Sequence, residues 1–200
     1  MEYAIPIGLA VVVALIILVA VANAAQRRKH KERLFAEARQ FMQFVEHRKA
    51  LAPVATNVIL KSGETAFYSA PSALYETRAV RQYQSGSTGF RVAKGVYIGG
   101  TKGRSVSTQE WAQVDSGVLT VTNRRLIFDG GAADRTVTLG KVVSVESSLS
   151  GVEVSVEGRQ KSMVFGAANP LVVAAIIRIC CQADDPLDLS QTTLNVTFVE

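Results

Sequence analysis

Residues 117–131, GVLTVTNRRLIFDGG, constrain this chain more than any other stretch. They read as two β-strands joined by a tight turn. Residues 118–122 and 126–128 are rich in β-branched and aromatic side chains, which suit a pleated, half-buried surface. Asn123 tolerates the left-handed conformation that hairpin turns need, and Gly130-Gly131 stops the second strand. The folded part of the chain is expected to be organised around this hairpin.

Short strand-like segments surround it. Residues 58–60 and 66–68 flank the turn cluster Lys61-Ser62-Gly63-Glu64. Residues 73–83 form a long candidate strand, and 85–89, SGSTG, read as a loop. Residues 90–98 are strand-like, and 99–103 turn the chain again. Trp111 and Val114 precede the central hairpin; 135–139, 141–146, 152–156 and 162–165 follow it as strands. Spacing this regular predicts a sandwich or a partly open barrel. The last element changes period. Asn169-Pro170 is an N-cap residue with proline at the first helical position, so 171–183 is expected to be a helix. Leu171, Val172, Ala175, Ile176 and Ile179 make its main face. Val173, Ile177 and Cys180 leave another side apolar, and are the expected contact for a partner. The tail 184–200 is acidic, with Leu194, Val196 and Phe198 alternating like a short strand.

The N-terminal quarter differs. Residues 4–22 hold 19 residues without a charge. As a helix they span about 28 Å, near the hydrocarbon thickness of a bilayer. A transmembrane helix and a cleaved signal peptide both fit such a run, with Ala22-Asn23-Ala24 resembling a cleavage site. The length of the run, the absence of Lys or Arg before it and the RRKHKER cluster after it favour an anchor. The expectation is a single-pass protein of the plasma membrane, N-terminus outside and domain in the cytoplasm. Residues 26–52 read as a basic amphipathic stalk helix, with Leu34, Ala38, Phe41, Val45 and Ala52 at helical spacing and Phe35 and Met42 beside them. Its apolar stripe needs burial, on its own domain or on a copy of itself. The alternative places it along anionic headgroups through Arg27, Arg28, Lys29, Lys31 and Arg33.

Charge is unevenly spread. Residues 26–49 carry eight Lys/Arg against three Glu, and the rest of the chain carries 14 of each sign. A basic collar on a neutral domain points to a membrane surface, not to nucleic acid. The two cysteines, Cys180 and Cys181, are adjacent and form neither a disulfide framework nor a metal site. His30 and His47 both lie in the stalk, so no Ser-His or Cys-His pair is available to the domain. Gly95–Lys102 resembles a phosphate loop only faintly, with Thr-Lys in reversed order. Asn195-Val196-Thr197 fits a glycosylation acceptor only if this end is secreted. Arg124 and Arg125 are a candidate anion site at the hairpin turn. No catalytic residue, metal or cofactor is expected.

The order Gly117-x-Leu119-x-x-Thr122-Asn123-Arg124-Arg125-Leu126-Ile127-Phe128, a glycine turn, the strands Arg-Thr-Val-Thr-Leu and Lys-Val-Val-Ser-Val-Glu, a strand ending at Phe165 and an Asn-Pro-capped helix resembles GRAM and bacterial pleckstrin-homology-like domains. The resemblance is best over 117–179; Lys61-Ser62-Gly63-Glu64 matches the family's opening turn more weakly. It implies a seven-stranded bent sandwich closed by the C-terminal helix across 53–183, a binding role toward lipid headgroups or proteins, and no catalysis. The expected function is a membrane-anchored, non-catalytic binding module whose cytoplasmic domain meets a protein partner or its own copy. A lipid-headgroup sensor, or a secreted domain released after Ala24, is the alternative.

Overall fold

The computed structural model describes residues 7–93, 96–194, 196 and 198, with side chains described for 12–78, 110–194, 196 and 198. It contains a long helix α1 (Ile7–Arg48), strands β1 (Ala66–Ala93), β2 (Val96–Thr122), β3 (Arg125–Gly130), β4 (Arg135–Thr138), β5 (Val142–Ser147), β6 (Gly151–Val156) and β7 (Met163–Gly166), and helix α2 (Pro170–Gln182). A single 3-10 turn, Leu139–Lys141, joins β4 to β5. The fold is mainly β with two helices. All seven strands lie in one antiparallel sheet of order β4-β3-β2-β1-β7-β6-β5.

The core fills the space between this sheet and α2. Phe128 and Phe165 meet at a ring separation of 6.1 Å, among Leu74, Leu119, Leu126, Val152, Val154 and Met163, all at most 1% exposed. The C-terminal helix starts where the sequence places it. The Asn169 side-chain oxygen accepts from the amides of Leu171 and Val172 at 3.2 and 3.3 Å, with Pro170 following. The Asn169 amide nitrogen donates to the Leu34 carbonyl at 3.1 Å and to Glu37 at 2.9 Å, tying the two helices together. Leu34, Phe35 and Ala38 of α1 are buried against Leu171. The stalk stripe is therefore covered by its own domain, except Ala52, which is exposed beyond the helix end.

Helix α1 stops at Lys49, four residues before Pro53. Lys49 adopts φ +55, and its amide donates to the Val45 carbonyl at 2.8 Å. A lysine in the left-handed region costs about 1 kcal/mol. The tail helps hold it: Leu189 N–H donates to the Lys49 carbonyl at 2.7 Å, and Leu51 N–H to the Pro186 carbonyl at 2.8 Å. The acidic tail thus begins as a clasp, with Leu189 buried.

Three expectations change. Residues 58–60 form no strand, and the chain from 51 to 65 is irregular. The loop expected at 85–89 and the turn expected at 99–103 are paired strands: Ser85 faces Gly103, Thr88 faces Gly100 and Gly89 faces Gly99. Local breaker composition yields here to the register of a long hairpin.

The third change concerns the N-terminus. Among the described residues no helix is long and apolar enough to cross a membrane. At Arg27 the basic cluster begins. The single-pass anchor at 4–22, the integral membrane attachment and the plasma-membrane location with N-terminus outside are accordingly unsupported. Part of the expected run lies outside the described residues. Within them the segment stands clear of the body, with Leu15, Ile16 and Leu18 all more than 60% exposed.

Candidate functional site

The two motifs that the sequence offers separately meet in space. The turn Lys61–Glu64 docks on the β2–β3 hairpin turn. Gly63 takes φ +70 there, a conformation that side chains beyond glycine disfavour. The Asn123 side chain accepts from Thr65 N–H at 3.0 Å and donates to the Gly63 carbonyl at 3.1 Å. Glu64, 7% exposed, accepts from the Thr122 hydroxyl at 2.9 Å, from Arg125 at 2.7 and 3.0 Å, and from Lys61 N–H at 2.8 Å. Chiefly the Arg125 bond holds the Glu64 carboxyl down at about 2, so it stays ionised. The Thr122 hydroxyl in turn accepts from the amides of Arg124 and Arg125.

This arrangement revises the anion site expected at Arg124 and Arg125. Arg125 already grips an internal carboxylate in a bidentate pair, the geometry its fork favours. Arg124 alone stays exposed, its guanidinium against Gly63. The pair is a structural clamp, and an outside anion would have to displace Glu64.

Val173, Ile177 and Cys180, expected to face a partner, are instead at most 4% exposed within the core. Strands of the sheet cover one side of α2 and the stalk covers another, so no apolar far side remains at these positions. Burial pushes the Cys180 thiol up to about 12. Of the collar, Arg27, Arg28 and Lys29 are exposed on the free part of α1. Lys31 lies over the Phe35 ring at 5.5 Å, and Arg33 pairs with Glu37 at 2.8 Å. Gly95, Asn195 and Thr197, needed for the faint phosphate loop and the glycosylation acceptor, lie outside the described residues.

Sequence reasoning missed a recess on the sheet. Tyr75, Trp111, Ser148, Ser150, Glu153 and Val164 line an open groove of about 490 Å³ on the outer sheet face. The pairing explains the assembly. Tyr75 lies opposite Val164, and Val164 opposite Glu153, so three strands bring these residues into one row. Trp111, opposite Thr77, flanks the row and is 47% exposed. Glu153 accepts a hydrogen bond from the Ser162 hydroxyl, and Glu146 sits opposite it on β5. Among the described residues no cation pairs with Glu153. Arg159 and Lys161, which precede β7, are held by Glu76 at 3.0 Å and by the Thr77 carbonyl at 2.8 Å. An aromatic plate with a carboxyl-bearing rim suits a cationic or flat polar group. No sequence signal could have found it, because the row is made by register across three strands.

The groove lies at the root of the longest feature of the fold. Strand β7 pairs with β1 only at residues 74–76, and β3 pairs with β2 only at 117–121. Beyond these, among the described residues, β1 and β2 pair with each other alone, from Thr77↔Trp111 to Ala93↔Val96. They form an arm with two open edges. No family model, no curated protein and no solved structure matches the chain.

Proposed function

We propose that the chain is a non-catalytic binding module of pleckstrin-homology-like type, presenting its β1–β2 arm to a protein partner or to a second copy. The arm carries this reading. A two-stranded ribbon is marginally stable by itself, and its unpaired edges are templates for another strand. The strand order and the Asn169-capped helix laid across the sheet support the family likeness. So does the docking of Lys61–Glu64 on the hairpin turn. The acidic groups best placed for chemistry already serve structure. Glu64 is held by Arg125, and Asp115 accepts from the amides of Ala132 and Ala133 at 2.6 and 2.8 Å.

The test shortens the arm by replacing residues 82–106 with a two-residue turn, which keeps Arg81 opposite Ser107. Cross-linking in cells followed by mass spectrometry should then lose partners, or self-cross-links, that the full chain shows. An unchanged set, with the circular dichroism spectrum of the body preserved, overturns the reading.

A further inference from the structure

Charge in this protein is segregated. Residues 53–200 are nearly neutral in sum, with 14 Lys/Arg against 13 Asp/Glu. Six of those cations, Arg78, Arg81, Arg91, Lys94, Lys102 and Arg104, fall within 77–109, where no Asp or Glu occurs. The body that remains holds eight cations against thirteen acids. A basic ribbon thus projects from the body, and the groove at its root holds a carboxylate, Glu153, without a cation partner among the described residues, beside an exposed tryptophan.

We propose that the Tyr75–Trp111–Glu153 groove receives a basic stretch of the arm of a second copy of this chain. The proposal rests on the binding-module reading above and names its partner. Register excludes the chain's own arm. Pairing runs without a shift from Tyr75↔Gln113 to Arg91↔Tyr97, so the arm extends about 50 Å away from its root at 3.3 Å per residue. It cannot bend back onto the groove without breaking that ladder. Arm-to-arm stacking is disfavoured because each arm carries only positive charge, a common device against edge pairing. An acidic rim repels phosphate, which disfavours a nucleic acid or an anionic lipid in this groove. A Lys or Arg entering it finds the face of Trp111 for a cation–π contact and Glu153 for a charge-assisted bond.

Trp111 is the single tryptophan of the chain, so its fluorescence reports on the groove directly. The experiment titrates a synthetic peptide of residues 78–109 into dilute full-length protein. The expected result is a saturable change in Trp111 emission that weakens with added salt. It should be about tenfold weaker with Glu153→Gln, corresponding to the loss of one charge-assisted contact. A peptide with Arg81, Lys102 and Arg104 replaced by Gln should leave the emission unchanged. Glu153 is on the outer face, so its variant should keep the parent circular dichroism spectrum, and Trp111→Phe gives the blank. No saturable change with the parent peptide, or one indifferent to Glu153→Gln, overturns the proposal. Such a failure leaves the shortened-arm experiment untouched, since that one scores any partner at any part of the arm.

Discussion

Strand β2 belongs to two hairpins, and they are built on opposite terms. Toward β3 it turns through Asn123-Arg124, and nearly every polar group at that turn has a partner in the body: Glu64, Thr65 and the Gly63 carbonyl. Its strand residues Leu119 and Val121 are fully buried. Toward β1 it runs out from Trp111 with pairing to β1 alone. The same ladder of backbone bonds underlies both. What differs is the surroundings: one hairpin is fixed by tertiary contact, while the other keeps open edges and concentrated positive charge. Regular backbone pairing by itself therefore says little about which part of a sheet is scaffold and which is contact surface.

The comparison is broken most violently from the body side. Ile176 lies in α2 at 4% exposure, against the core that the clamped hairpin shares. Ile176→Asp places a charge there with no partner, at a cost of several kcal/mol, comparable to the stability of a whole domain. The variant should be unfolded at room temperature by circular dichroism. Melting within a few degrees of the parent would show that α2 is not the lid of this core.

Next in size comes the clamp. Glu64→Ala leaves Arg125 and Thr122 facing a void, and breaking a buried ion pair from one side typically costs about 3–5 kcal/mol. The pH dependence isolates the charge. Folding lowers the Glu64 carboxyl from 4.5 to about 2, so its contribution is complete above pH 4.5 and is lost as pH falls toward 2. By linkage this amounts to roughly 3 kcal/mol at most. Urea titrations should show the parent losing stability across that window and Glu64→Gln losing less. Parallel curves would mean that Glu64 is not ionised by Arg125.

Much of this hairpin was legible in the sequence. The β-branched runs, Asn123 and the glycine stop gave the turn in its correct place. One glycine has a further reason, visible only in the fold: a Cβ at Gly117 would lie 2.1 Å from the Asp129 carbonyl oxygen. The helix cap at Asn169-Pro170 was equally readable, because capping is local chemistry. The partner of Arg125 was not, since Glu64 lies 61 residues away and only topology joins them. Charge and adjacency suggested an external anion where an internal one sits. The arm failed for the opposite reason. Its Gly and Ser residues read locally as breaks, yet they are paired within the ladder, Ser85 with Gly103 and Gly89 with Gly99. The exposed side of α2 failed because the sequence shows an apolar helix but not how many neighbours cover it.

A smaller effect separates the tryptophan from the phenylalanines. Phe128→Ala, at 1% exposure, should cost about 3–5 kcal/mol through the cavity it leaves. Trp111→Ala, at 47% exposure, should change stability by less than about 1 kcal/mol. Equal losses in thermal melts would place Trp111 in the core and remove the groove.

The smallest effect on stability belongs to the arm itself, and it sharpens the comparison best. Beyond Glu76 and Trp111 the described ribbon shares no strand pairing with the rest of the sheet, so removing it leaves the pairing of the other strands in place. Replacing 82–106 with a short turn also closes a shorter loop, a gain that grows only slowly with length. The two terms are small and opposed, and the melting temperature should stay within a few degrees of the parent. Hydrogen exchange on the full chain gives the complementary reading. Amides of β3 and of 119–122 in β2 should exchange only through opening of the whole domain. Those of the arm should exchange through local fraying at far lower cost, because an isolated ribbon is marginal in water. Slow exchange running out along the arm in dilute protein would mean that the ribbon is stabilised without a partner. In concentrated protein, protection appearing on the arm and on Glu153–Val154 together would mark the two surfaces as meeting between copies.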